Sequence, residues 1–244
     1  MSYIIECKKL RRTGLILTFF GGGLLAALIP VFNMAFRSEM YITQNEPPLQ
    51  ILFDANWQIM AMLNILLIVS GACALYHIEY GDNAIQKMAA LPLPGNSLFF
   101  GKCLVLTVLA ALMLLPEILS LVFCIYYWFS GAETLNMAFY REIFAGYGYL
   151  LLLILPLILI TLLIASAFRN MWISLGVNIV CVFIATMLPT NNFALSLFPF
   201  ALPFQTLAGT DGRRVIGFMI CAGVEILLIG IAEMIYRNIR RCFE

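Results

Sequence analysis

The chain has 244 residues, of which 63% are hydrophobic and only 11% charged, with a net charge of +1 and a mean hydropathy of +0.97. A soluble domain of this length leaves too many side chains in contact with water to accommodate so apolar a composition. A soluble globular protein is thereby excluded, and an all-α polytopic membrane protein with a single membrane domain over residues 1–244 is expected. The near-neutral total gives no sign of a nucleic-acid partner, and none is expected.

The opening residues carry Lys8, Lys9, Arg11 and Arg12 ahead of an apolar run. This resembles a signal peptide, but the run is too long and Gly21-Gly22-Gly23 makes a poor cleavage site. It is read as a retained first span, roughly residues 13–36, in which Pro30 is expected to introduce a kink. Residues 37–55 read as a polar connection, broken by Asn45-Glu46-Pro47-Pro48. A second span is expected over 56–76, with Trp57 at headgroup level.

A polar segment, 79–102, separates it from a third span over 103–128, which closes on Tyr126-Tyr127-Trp128. A short polar turn leads to a fourth span over 143–168. Arg169-Asn170 then makes a tight hairpin into a fifth over 172–188. Residues 191–209 are apolar yet hold Pro199 and Pro203. Such a stretch is too short and too broken to cross, because unpaired backbone groups in lipid cost several kcal/mol each. It is expected to be re-entrant, dipping into the membrane behind other spans. A sixth span over 215–236 and a basic tail complete the chain.

Six spans place both termini on one side. With the termini cytoplasmic, ten lysines and arginines lie inside and four (Arg37, Arg141, Arg213 and Arg214) outside, as the positive-inside rule requires. Residues 79–102 then form the longest polar segment on the cytoplasmic side and the natural docking surface for a soluble partner.

Chemistry is sparse. The seven cysteines are odd in number and contain no CxxC pair, so they read as small apolar fillers, with neither a disulfide framework nor a metal site. His77 is the lone histidine, which removes histidine-based metal or catalytic clusters. The stretch Gly95-Asn96-Ser97-Leu98-Phe99-Phe100-Gly101-Lys102-Cys103 approaches a phosphate-binding loop. It has five residues between its glycines instead of four, and cysteine where a magnesium-binding hydroxyl belongs. The chain is expected to have no catalytic residues and no cofactor of its own, and any ATP and Mg would be bound by another chain.

Three carboxylates fall within spans: Glu117 in the third, Glu225 and Glu233 in the sixth. Glu233 is expected to reach toward Arg237, one turn on. Glu117 and Glu225 fall near mid-membrane, where a charge costs about 2.5–3.5 kcal/mol on insertion scales and so faces protein or water. Two readings are open: a lining for a cationic substrate's path, or hydrogen-bonded acids that pack the spans together. Gly21-Gly22-Gly23, Gly217, Gly223 and Gly230 suit close helix contacts, either internal or with a second subunit.

Glu79, Gly81, then Leu91-Pro92-Leu93, and Gly101-Lys102 entering a span resemble the loop of permease subunits of type-2 ABC exporters, similar to E-x-G … LP(V/I)SR … K. Six spans in a chain of this length and a proline-containing dip before the last also resemble that family. Size and short loops are most similar to the lantibiotic-immunity permeases. The sequence departs from the pattern at Pro94-Gly95-Asn96-Ser97, where the family often has serine followed by a basic residue.

The resemblance implies a bacterial cytoplasmic-membrane protein whose short cytoplasmic coupling helix, between spans 2 and 3, docks in a cleft on a partner ATPase. The partners implied are two copies of that ATPase, a second related permease and membrane lipids; the cargo implied is an amphipathic antimicrobial peptide. The docking residues would be Glu79, Gly81, Asp82, Ile85, Lys87, Met88, Leu91 and Pro92. Residue chemistry is compatible with a helix over 81–90. Asp82 and Lys87 complement the helix dipole, Leu91-Pro92 stops the helix, and Ile85, Met88 and Ala89 share an apolar face. Two rivals remain: a membrane sensor or scaffold holding a cytoplasmic protein, and a proton-coupled secondary transporter using Glu117 and Glu225.

Overall fold

The computed structural model describes residues 13–81, 95–129, 136–168, 170–188, 192–208 and 210–243; the side chains of 79–81, 95–97 and 237–243 are not described. Among the described residues seven α-helices follow in order: α1 (Leu15–Ile42), α2 (Pro48–Gly81), α3 (Gly95–Trp128), α4 (Met137–Ala167), α5 (Met171–Met187), α6 (Phe193–Ser196) and α7 (Gly212–Phe243). A 3-10 turn, Leu202–Phe204, lies between α6 and α7, and there are no strands among the described residues. Five helices (α1, α2, α3, α4 and α7) are long and apolar enough to cross a membrane, while α5 is apolar but shorter. Helix is the expected outcome, because each helix satisfies its own backbone hydrogen bonds without water.

The helices are longer than the apolar runs. Residues 37–55 were expected to be a polar connection. Instead α1 continues to Ile42 and α2 begins at Pro48, leaving only 43–47 outside helix. Proline is at home in the first helical turn, where its missing N–H has no partner to lose. The backbone of α1 departs from helical geometry at Arg37 (φ −135°, ψ 24°), whereas Pro30, where a kink was expected, lies inside the helix. α1 is entered through Gly14 at φ 67°, a left-handed conformation that favours glycine.

α2 is the hub: it packs on α1, α3, α4, α5 and the 3-10 turn. The most extensive helix pairing is α1 on α3, and it depends on absent side chains. A Cβ on Gly23 would collide with the Met113 carbonyl oxygen and sit 3.0 Å from Pro116 Cγ. On α2, a Cβ on Gly71 would come within 2.7 Å of the Phe19 ring. The triple-glycine run therefore serves an internal contact. Gly223 and Gly230 on α7 differ: a Cβ added to either would find nothing within 4 Å. α7 packs chiefly on α4 and exposes Ile220, Leu227, Leu228 and Ile231.

Polar contacts fix the helices around α2. Asn33 Nδ2 donates to Asn56 Oδ1 (2.8 Å) and to the Tyr41 hydroxyl (3.1 Å), joining both sides of the Arg37 irregularity to α2. Cys73 Sγ lies 3.2 Å from Ser174 Oγ on α5. Tyr147 of α4 donates to the Ala111 carbonyl of α3 (2.9 Å). Trp57, expected at headgroup level, has its ring buried in the protein, and its indole N–H donates to the Pro203 carbonyl (3.0 Å). That bond secures the proline-broken segment, whose Phe200 and Leu202 are fully buried and whose 3-10 turn packs on α2 and α4.

Gly23→Val should lower the detergent-solubilised melting temperature by the equivalent of about 1–3 kcal/mol of overpacking, while Gly223→Val should leave it unchanged. Equal melting of the two variants would contradict the α1–α3 contact.

Candidate functional site

The expected docking surface is only partly within the described residues. Glu79 and Gly81 lie in the last turn of α2. Asp82, Ile85, Lys87, Met88, Leu91 and Pro92 lie outside the described residues, as does the expected helix over 81–90. What the structure does place is the frame of that segment: α2 runs into it through Gly81, and α3 leaves it at Gly95.

Close to this frame is a residue whose environment the sequence did not announce. Lys102, two turns into α3, is only 1% exposed. Its Nζ sits 5.3 Å from the centroid of the Tyr76 ring on α2, within the range of a cation–π attraction, which strengthens when desolvated. A lysine at the edge of an apolar run normally extends its ammonium to water; this one is turned inward between α2 and α3. The nearby aromatic Tyr76, the last residue of the second apolar run, was the available signal.

Glu117 is 1% exposed. Asn64 Nδ2 of α2 donates to its Oε2 at 3.0 Å. Among the described residues neither Glu117 Oε1 nor Asn64 Oδ1 has a hydrogen-bond partner. The pair is a polar contact sealed between α2 and α3, beside the Gly23–Pro116 approach of α1. Glu225 is half-buried on α7, with Oε2 lacking a hydrogen-bond partner among the described residues. α3 packs on α1, α2 and α4, whereas α7 packs chiefly on α4, so Glu117 and Glu225 belong to helices that share a neighbour without extensive mutual packing. Glu233 is buried at 3% exposure, and the side chain of Arg237 lies outside the described residues.

Asn64 was not singled out from sequence. An asparagine in an apolar helix, opposite a helix carrying one carboxylate, is a recognisable signal only once the two helices are known to pair.

The fold is thus that of a multi-pass helical membrane protein. A family model described as ABC-2 family transporter protein matches residues 4–185. The chain belongs to that family, and a family permease works in general with an ABC ATPase. The match covers α1 to α4 and most of α5, and ends before the proline-broken segment and α7. No curated protein and no solved structure matches the chain.

Asn64→Leu strips Glu117 of its amide donor and should destabilise the protein by about 1–3 kcal/mol, whereas Asn64→Leu combined with Glu117→Met should recover most of that loss. Unfolding in a denaturing-detergent titration reads both. A double variant no more stable than the single one would show that the carboxyl is held by more than this pair.

Proposed function

We propose that the chain is the membrane-spanning subunit of an ATP-driven exporter in the bacterial cytoplasmic membrane, and that it expels an amphipathic antimicrobial peptide as a self-protection device. The family match over residues 4–185 carries this reading. Hydrolysis takes place on a separate ATPase, with ATP and Mg bound there; two copies of that ATPase and a second related permease complete the assembly.

The proposed topology has six spans with both termini cytoplasmic. α5 supplies the fifth: its 17 residues reach about 26 Å at 1.5 Å per residue, close to the hydrocarbon thickness. The short connection between the end of α4 at Ala167 and the start of α5 at Met171, together with the ten-to-four distribution of basic residues, supports two antiparallel spans there. The proline-broken segment then stays on the outer side and enters the membrane only partway; its burial against α2 and α4 supports this.

Coupling runs through residues 81–92. Asp82, Ile85, Lys87 and Met88 present a short helix to the ATPase, Leu91 and Pro92 end it, and Glu79 and Gly81 connect it to α2. Movement of that helix is passed to the spans through the ends of α2 and α3. Burial of Glu117 against Asn64 supports a packing role for this carboxyl in the conformation described. Glu225, less buried, retains the role of a path residue.

Affinity capture of the tagged chain from its native membrane should recover a nucleotide-hydrolysing subunit identified by mass. Asp82→Lys, and separately Ile85→Asp with Met88→Asp, should reduce that recovery about tenfold or more, a loss of at least about 1.4 kcal/mol of docking energy, with normal membrane insertion. Hydrolysis by the exporter in lipid should change with substrate, whereas a scaffold should show no turnover. Transport that survives ATP depletion and is abolished by Glu117→Gln with Glu225→Gln would replace this reading with proton coupling.

A further inference from the structure

The contact between Glu117 and Asn64 holds one donor and three acceptors. Asn64 Nδ2 donates to Glu117 Oε2 at 3.0 Å. The other two oxygens of the pair, Glu117 Oε1 and Asn64 Oδ1, are both buried and lack a hydrogen-bond partner among the described residues. An ionised carboxylate oxygen only accepts, and so does an amide oxygen, so neither can satisfy the other. Ser120, one turn on, brings no relief, because its hydroxyl donates to the Glu117 backbone carbonyl (2.7 Å).

No cation compensates the carboxyl: among the described residues Asn64 is its one side-chain partner. On α3 itself, Lys102 lies fifteen residues away, about 22 Å along the axis, and Cys124 seven residues away. On α2, Cys73, Asp54 and His77 are nine, ten and thirteen residues from Asn64, about 14–20 Å. α1 meets α3 at Gly23, with Arg37, Glu39 and Tyr41 fourteen or more residues further on. On α4, the Tyr147 hydroxyl is spent on the Ala111 carbonyl (2.9 Å), Arg141 and Glu142 are exposed, and Tyr149 belongs to the cluster around Phe218 of α7.

A single hydrogen on Oε1 corrects both faults together. It makes that oxygen a donor and gives Oδ1 its missing partner, so that acid and amide are joined by two bonds. We propose that Glu117 is a proton-binding site: in this packed conformation Oε1 carries a hydrogen that bonds to Asn64 Oδ1, and the proton passes to water when α2 and α3 separate. Release breaks the O–H bond and leaves its electron pair on Oε1. Neutrality suits a carboxyl shut between helices at mid-membrane, where charge is strongly disfavoured. A glutamate in water is ionised above about pH 4.3, so acid favours the packed conformation and alkali the separated one. The bound proton follows from the geometry alone; its release within a transport cycle rests on the exporter reading.

Glu117→Gln imitates the neutral acid, since its amide N–H can donate to Asn64 Oδ1 and its oxygen can accept from Asn64 Nδ2. Infrared difference spectra between the wild type and this variant, taken on the captured assembly in lipid nanodiscs at neutral pH, should show the C=O stretch of one protonated carboxyl in the wild type. That band should shift in Asn64→Leu. Between pH 5 and 8 the unfolded carboxyl has lost its proton and the packed one keeps it, so stability falls as pH rises. In a denaturing-detergent titration the unfolding constant of the wild type should accordingly rise, relative to that of Glu117→Gln, by about tenfold per pH unit. Carboxylate bands in place of the C=O stretch, a ratio constant with pH, or a glutamine variant that does not fold overturns the site. Neither readout needs the ATPase. A captured ATPase with an ionised Glu117 removes the proton site alone, and a protonated Glu117 without a captured ATPase removes the exporter reading alone.

Discussion

Helices in lipid gain little by burying apolar side chains against each other, because acyl chains are as apolar as leucine. Register must come from close packing and from a few polar contacts, and here α2 supplies most of both. Asn56 holds α1, Asn64 holds α3, Cys73 meets Ser174 of α5, and Trp57 holds the proline-broken segment. Each such contact is worth only about 0.6–2 kcal/mol in a membrane, but each is directional. Spread along one helix, they set the heights of these partners relative to it.

The two ends of the molecule divide along the same axis. One end carries Gly81 and Gly95, which frame the proposed coupling segment, with Lys102 and Tyr76 packed just inside it. The other holds an aromatic and acidic cavity. Between them the packing is closed: Phe19, Ile65, Ile68 and Leu106 are essentially solvent-free, and Glu117 is sealed against Asn64. Passage of a cargo through this conformation would require the helices to separate, as expected of a protein that alternates between states.

The membrane class, the all-helical fold and the approximate centre of each long helix could be read from hydropathy alone, since twenty-residue apolar runs have few alternatives. Helix ends could not. Residues 37–42 and 48–55 are polar enough to resemble a loop, but water beyond the hydrocarbon permits helix as readily as coil, and local propensity decides. Trp57 illustrates a second limit. Tryptophan is common at membrane interfaces, and only the backbone carbonyl of Pro203, 146 residues away, draws this one into the protein. Lys102 is similar: turned inward, its Nζ lies over the ring of Tyr76 on another helix. The glycine run before Leu24 was legible as a close-contact motif, although the choice between an internal and an intersubunit partner needed Met113 and Pro116. Asn64 shows the reverse: nothing in its own stretch marks it, and its meaning lies in Glu117.

α1, α3 and α4 each carry an internal proline, at 30, 116 and 156. α2 has none after its first residue and remains helical for 34 residues, a rod about 51 Å long at 1.5 Å per residue. Prolines remove backbone hydrogen bonds and leave places where a helix can bend. Three of its neighbours, α1, α3 and α4, therefore have places to bend, while α2 and α5 have no internal proline. Under the proposed coupling, a tilt imposed at Gly81 would be carried along this uninterrupted helix toward Asp54.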